Sequence, residues 1–100
     1  MLIFLLTIPD EAVLRKIRAL FDKYHINMLR YARSLLRLSG DKNYNNDAED
    51  IIQNAFLKIS RYIDRIDLSR SEEAVGGYLF TIVENEVSNF LSKQEKTKNL

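Results

Sequence analysis

Apolar residues return at helical spacing in three runs along this chain, and two turn-rich connections separate the runs. The cleanest run covers residues 47–66, where Ile51, Ile52, Ala55, Phe56, Ile59, Tyr62, Ile63 and Ile66 keep to one face of a 3.6-residue helix. The opposite face carries Glu49, Asp50, Gln53, Asn54, Lys58, Arg61 and Arg65. Acids fill its first turns and Lys or Arg its later ones, the order the helix dipole favours. Asn45, Asn46 or Asp47 can each offer an N-cap oxygen.

An earlier run keeps the same spacing through Val13, Ile17, Leu20, Phe21, Tyr24, Met28, Ala32, Leu35 and Leu36. It starts at Thr7-Ile8-Pro9-Asp10-Glu11, where Pro and acids suit a first turn. No Pro or Gly interrupts it before Gly40, which suits the position just past a helix end. Its length, against a usual helix of about 11–12 residues, favours two nearly collinear helices joined near His25-Ile26-Asn27 over a single one. The last run, over about residues 72–95, turns Val75, Leu79, Ile82, Val83, Val87, Phe90 and Leu91 inward. Ser69 with Glu72, or Ser71 with the acids after it, can cap that helix.

Residues 40–46 and 67–71 carry turn chemistry and are short enough to make neighbouring helices antiparallel. The expected architecture is therefore all-α, a compact three-helix antiparallel bundle with the first helix whole or split in two. It occupies residues 10–95, with an N-terminal extension at 1–9 and a polar, frayed tail or linker start at 96–100. Glu86 fits badly, near the middle of the third apolar arc. It either pairs with an Arg of the first helix or marks a stripe rotated from this one.

One hundred residues hold a single domain, and 46% hydrophobic with 29% charged residues is an ordinary soluble composition. The absence of Cys excludes disulfides and thiolate zinc sites and leaves the redox compartment open. The apolar opening at residues 1–6 is too short to span a bilayer and lacks the flanks of a signal peptide, so a cytoplasmic protein with no membrane partner is expected. The net charge of +1 conceals a gradient: residues 10–40 hold seven Lys or Arg against three Asp or Glu, residues 41–70 five against six, and residues 71–100 three against five. An anionic partner is drawn first to the N-terminal part.

Catalytic chemistry finds no support. There is no phosphate-cradling Gly loop and no nucleophile–base set, and His25 has no ligand partner at a helical step. Glu49-Asp50 and Glu72-Glu73 sit in first helical turns, where the dipole accounts for them. A binding protein without catalytic residues, metal or cofactor is expected. Arg30, Arg33 and Arg37 share one face of the first helix, spaced to run along nucleic acid or to pair with acids of the domain.

Residues 47–57, DAEDIIQNAFL, resemble the DAEDLVQEVFL signature of region 2 in sigma-70 family transcription factors, above all the small extracytoplasmic-function group. The likeness extends to Phe21-Asp22-Lys23-Tyr24 and residues 28–36 in the first helix. It continues in Tyr78-Leu79-Phe80-Thr81-Ile82-Val83-Glu84-Asn85, which aligns with the family's WLYRIARN, and Asn89 falls where the family has Asp or Asn. It spans roughly residues 10–95. The resemblance implies that the central helix docks on the clamp coiled coil of the RNA polymerase core, through Asp50 and Gln53 with Glu49, Asn54 and Phe56 beside them. A carboxylate beside a two-way amide suits an Arg-rich partner helix. Asn54 replaces the usual acid, so one charged contact is absent.

The resemblance further implies that the third helix and the loop before it hold single-stranded promoter DNA of the −10 element and capture a flipped base. Tyr78, Thr81, Asn85, Ser88, Asn89 and Ser92 form a polar, mostly uncharged stripe there. Amides and hydroxyls can bond base edges, and Tyr78 can stack on a base. Arg70 and Lys93 supply cations. Thr81 and Glu84 stand where the family has Arg, so unaided DNA binding should be weak. An anti-sigma factor is a further candidate partner. The helix-turn-helix domain of complete sigma factors is not in these residues, and the Lys-rich stretch 92–98 resembles the start of a linker to one. The alternative function is a sigma-like interaction module, a regulator or decoy, that binds polymerase without reading DNA.

Overall fold

The computed structural model describes residues 11–67 and 69–98, so the expected N-terminal extension and the helix start at residues 7–10 lie outside them. Among the described residues three α-helices follow in order, α1 at Glu11–Leu38, α2 at Tyr44–Arg61 and α3 at Glu72–Lys98, with a 3-10 turn at Ile63–Arg65. They form the expected all-α antiparallel bundle. At 28 residues α1 is about 42 Å long at 1.5 Å per residue, and it sets the 44 Å long dimension of the domain. Among the described residues no helix is long and apolar enough to cross a membrane.

The joint expected at residues 25–27 is absent, and α1 is one continuous helix. Its apolar stripe stays in phase on both sides, with Leu20 and Phe21 before that point and Met28 and Ala32 after it, all buried. His25 braces the turn between them. Its ring stacks on Phe21 at 4.2 Å, and because a carbonyl can only accept, its Nδ1 donates to the Phe21 oxygen at 2.6 Å. The chain's single histidine is thus a structural group. The helix ends as Gly40 allows: at φ +90° its N–H bonds the Arg37 carbonyl, and the Asp41 N–H bonds that of Leu36. That bond pair is a Schellman closure, which requires a left-handed residue.

The central helix begins and ends earlier than its periodicity suggests. Asn43, not residues 45–47, is the N-cap, and its side chain makes no capping bond to a backbone N–H. Its Oδ1 accepts from the Asn46 amide at 3.1 Å, while the Asn43 N–H is turned to Asp41 Oδ1 at 2.9 Å. At the far end the ladder tightens to i→i+3 bonds, Tyr62 to Ile59, Arg65 to Tyr62 and Ile66 to Ile63. That change of pitch keeps Ile63 and Ile66 both in the core while turning the chain toward α3. Asp67 then accepts the Ser69 N–H in an Asx turn. Ser71, rather than Ser69, caps α3, its Oγ accepting the Ala74 N–H at 3.2 Å. α3 runs to Lys98, three residues past the expected end.

The core lies where α2 meets α1 and α3. Ile51, Ile52, Ala55, Phe56 and Ile59 of α2 are buried against Ile17, Phe21, Met28, Ala32 and Leu36 of α1 and Val75, Leu79, Val83 and Val87 of α3. Phe56 is fully buried, its ring edge-on to Phe21 at 5.0 Å. The α3 seam is narrower than expected, because Ile82, Phe90 and Leu91 are only partly buried. Glu86 therefore sits at the edge of the seam, 11% exposed, and pairs with Lys58 of α2 rather than with an Arg of α1.

Phe56→Ala should lower stability by about 3–5 kcal/mol, the cost of a fully buried aromatic and its cavity. Urea unfolding followed by circular dichroism measures it, and a loss below about 1 kcal/mol would contradict this placement.

Candidate binding surfaces

The buried side of α2 determines what its other side offers. Glu49, Asp50 and Asn54 are exposed and Gln53 is half-buried, so carboxylate and amides lie together within two turns. Phe56 does not belong with them. It faces the opposite way into the core and can support a docking surface only by holding α2 in place.

The start of α2 carries crowded acid. Burial first, then hydrogen bonding and charge from Asp41, then the charge of Asp50 push the Asp47 carboxyl up to about 6, against a smaller opposite pull from the Asn43 amide. Asp41 Oδ2 is buried without a hydrogen-bond partner among the described residues.

The second surface is built where α2 gives way to α3. The 3-10 turn and the Asx turn bring Arg65 and Arg70 beside Tyr78, over an apolar floor of Ile66 and Val75, in a cleft of about 190 Å³. The Ser69 hydroxyl and N–H, followed by the charges of Arg70 and Lys16, hold the Asp67 carboxyl on this rim below the usual carboxylate range. Tyr78 also lines a second cleft of about 240 Å³ between α2 and α3, together with Tyr62, Asn85 and Asn89. Lys58 and Glu86 pair across that cleft, and Ile59 and Ile82 form its floor.

Of the stripe expected on α3, then, Tyr78, Asn85 and Asn89 share a cleft and Arg70 joins Tyr78 in the other. Thr81, Ser88, Ser92 and Lys93 are exposed on α3 but line neither. The Thr81 hydroxyl is turned back to the Gly77 carbonyl at 2.9 Å. Arg65, Tyr62, Lys58 and Glu86 were not expected here. Arg65 lies over the Tyr62 ring at 5.3 Å, a placement that depends on the pitch change after Arg61, which no Pro or Gly marks.

Three acids of α3 are engaged by the other helices. Glu72 pairs with Lys23, Glu86 with Lys58, and Glu84 accepts from the Tyr31 hydroxyl at 2.8 Å while Phe80 packs edge-on to the Tyr31 ring. Arg30 and Arg37 are exposed, Arg33 is half-buried with its Nε unpartnered, and among the described residues none of the three pairs with an acid.

The result is a helical binding module: an outward face of carboxylate and amides on one rod, and two aromatic-walled clefts beside another. Comparison with known families agrees. Residues 20–97 match the Sigma-70 region 2 family, and the chain belongs to that family, whose members are transcription-factor domains and not enzymes. No curated protein and no solved structure matches the chain. Membership carries a sigma-factor-like role in binding RNA polymerase, with the polymerase core and promoter DNA as the implied partners.

The Asp47 carboxyl binds its proton more tightly folded than unfolded, where a carboxyl near 3.9 is ordinary. The folded state therefore holds more protons between about pH 4 and 6, and stability from this group falls as pH rises through that window. Asp47→Asn should flatten this part of the Tm–pH profile and melt no lower than the parent at neutral pH. A parent Tm that does not decline there relative to Asp47→Asn would refute the assignment.

Proposed function

We propose that this domain docks on the clamp coiled coil of RNA polymerase through Glu49, Asp50, Gln53 and Asn54 of α2. With the polymerase, it holds unpaired promoter DNA of the −10 element along α3 and the loop before it. The observation that carries this reading is the junction of α2 and α3, where Arg65 and Arg70 meet Tyr78 in one cleft. Two guanidinium groups attract a phosphate backbone, and an aromatic wall over an apolar floor suits a base taken out of its stack. Tyr78, Asn85 and Asn89 continue the path along α3. Binding energy spent on unpaired bases is the whole mechanism, and it works in the cytoplasm beside the polymerase.

The net acid excess of the last thirty residues favours the rival, a module that binds polymerase without reading DNA. Against it, two of the acids are neutralised by lysines of the other helices and a third is bound to Tyr31. Little of that charge is left as a free repulsive field toward DNA. An anti-sigma factor is a partner this surface could also serve.

Asp50→Ala and Gln53→Ala should each weaken binding to core polymerase by about five- to thirtyfold, the loss of one charge-assisted or amide contact. Melting temperature should stay nearly unchanged, since both side chains lie outside the core. Affinity is read by fluorescence titration, and parental affinity in both variants would remove α2 as the docking face. Tyr78→Ala should leave polymerase affinity intact and reduce binding of the complex to single-stranded −10 DNA about tenfold, as loss of one stacking partner does. Unchanged strand binding would favour the rival.

A further inference from the structure

The three arginines of α1 belong to neither surface described above. Arg30 and Arg37 are exposed, while Arg33 is half-buried and its Nε is shut from solvent without a hydrogen-bond partner. Neighbouring contacts fix where they face. Tyr31 bonds Glu84 and packs on Phe80, so it marks the α3 side of α1. Lys58, paired with Glu86, marks the α3 side of α2. At about 100° per residue, Arg33 lies about 160° round α1 from Tyr31, and Gln53 about 140° round α2 from Lys58. These two half-buried residues therefore border the α1–α2 seam on the face turned away from α3. Arg30 and Arg37 share the side of Arg33, and Glu49 and Asp50 share that of Gln53, each three or four positions away. Arg33 and Arg30 lie five and eight residues before α1 ends at Leu38, and Glu49 and Gln53 five and nine after α2 begins at Tyr44. A cationic and an acidic strip thus run side by side at similar height. Among the described residues no ion pair joins them. Ile26, 53% exposed, continues the first strip, and Leu57, only partly buried, continues the second.

We propose that this face pairs with a second copy of the chain, the arginines of α1 on each copy meeting the acids of α2 on the other. A two-fold axis parallel to the helices achieves this. It lays the cationic strip of one copy over the acidic strip of the other and makes both contacts at once, as an isologous dimer requires. Heights along the helices are unchanged by that rotation. Ile26 and Leu57, twelve and thirteen residues from the same two helix ends, therefore meet across the pair as its apolar contact. Guanidinium forks suit carboxylates, which they bind through two parallel bonds. A phosphate backbone on the same arginines would lie beside Glu49 and Asp50, which repel it, and would leave Ile26 uncovered. The strip from Ile26 to Arg37 is about 17 Å long at 1.5 Å per residue. A contact of that size is small, so the pair dissociates on the order of 10 μM. Because Glu49, Asp50 and Gln53 are also the residues proposed to meet polymerase, pairing hides the docking face when the free chain is concentrated. That consequence rests on the docking reading; the pairing itself does not.

Sedimentation equilibrium of the chain, from about 1 to 200 μM in low salt, should show a monomer–dimer equilibrium that high salt dissolves. Arg30→Glu with Arg37→Glu sets acid against acid and should weaken pairing at least about tenfold, as should Glu49→Lys with Asp50→Lys. An equimolar mixture of the two double variants restores opposite charges at both contacts. It should form a mixed dimer within about threefold of the parent affinity. A parent chain that stays monomeric throughout, double variants that pair like the parent, or a mixture that stays monomeric overturns the inference. So does a monomeric chain whose arginines instead bind duplex DNA or a synthetic acidic helix, since another occupant then holds the face. Should the lysine variant fail to fold, the arginine variant and the salt dependence of the parent decide. Core polymerase added to the paired chain should draw it into a one-to-one complex. A dimer that polymerase does not dissociate leaves the pairing standing and removes docking on this face. Polymerase binding by a chain that never pairs removes only the inference.

Discussion

Burial of one face of α2 is the constraint from which the remaining geometry follows. Ile51, Ile52, Ala55, Phe56 and Ile59 are withdrawn from water between the other two helices. A helix presents one new face every 100° or so per residue, so α2 cannot turn by a single position without driving Asp50 or Gln53 into an apolar core. A buried carboxylate without partners costs several kcal/mol. The outward direction of Glu49, Asp50 and Asn54 is thus a consequence of the core and needs no interaction of its own. Phe56 belongs to the same logic from the inside: its packing on Phe21 holds the face a partner would meet.

The same core shapes the second surface. Ile63 and Ile66 both have to be covered, and after Arg61 an α-helical pitch gives way to i→i+3 bonding that covers them. The chain is left pointing across the end of the bundle, where the Asx turn at Asp67 and the Ser71 cap deliver it to α3. Arg65 and Arg70 come to Tyr78 as a result of that route. A local change of pitch, three residues long, separates a continuous helix with a basic face from a cleft with two cations and an aromatic wall.

How far these features were legible in the residues differs by element. The three rods were legible because each carries an uninterrupted 3.6-residue apolar period, and Gly40 announced the first helix end because no other residue type occupies a left-handed position so readily. Length alone argued for a break in α1, but the stripe through Leu20, Phe21, Met28 and Ala32 outweighs a statistical preference for shorter helices. The end of α2 was not legible, since the apolar residues after Arg61 satisfy helical and 3-10 spacing alike. The N-cap was misplaced because Asn43, Asn45 and Asn46 are chemically equivalent candidates, and only the Asp41–Asn43 turn separates them. On the surfaces, the α2 face followed from the period, as did the grouping of Tyr78, Asn85 and Asn89. Phe56 was assigned to the polymerase-facing set from its motif although its period already placed it inward. The Lys58–Glu86 pair depends on how α2 and α3 are staggered, which no single helix pattern contains.

That pair also bears on how the two surfaces relate. Lys58 belongs to the rod proposed to dock and Glu86 to the rod proposed to hold DNA. With Lys58 half exposed, an ion pair of this kind contributes at most about 1 kcal/mol to stability, too little to lock two helices together. The locking comes from the dry seam of Ile59, Leu79 and Val83 beneath it, where each fully buried side chain is worth about 1.5–3 kcal/mol. The charges therefore act on orientation. They decide which way the Glu86 carboxylate faces at the edge of a cleft that the apolar seam has already fixed in place.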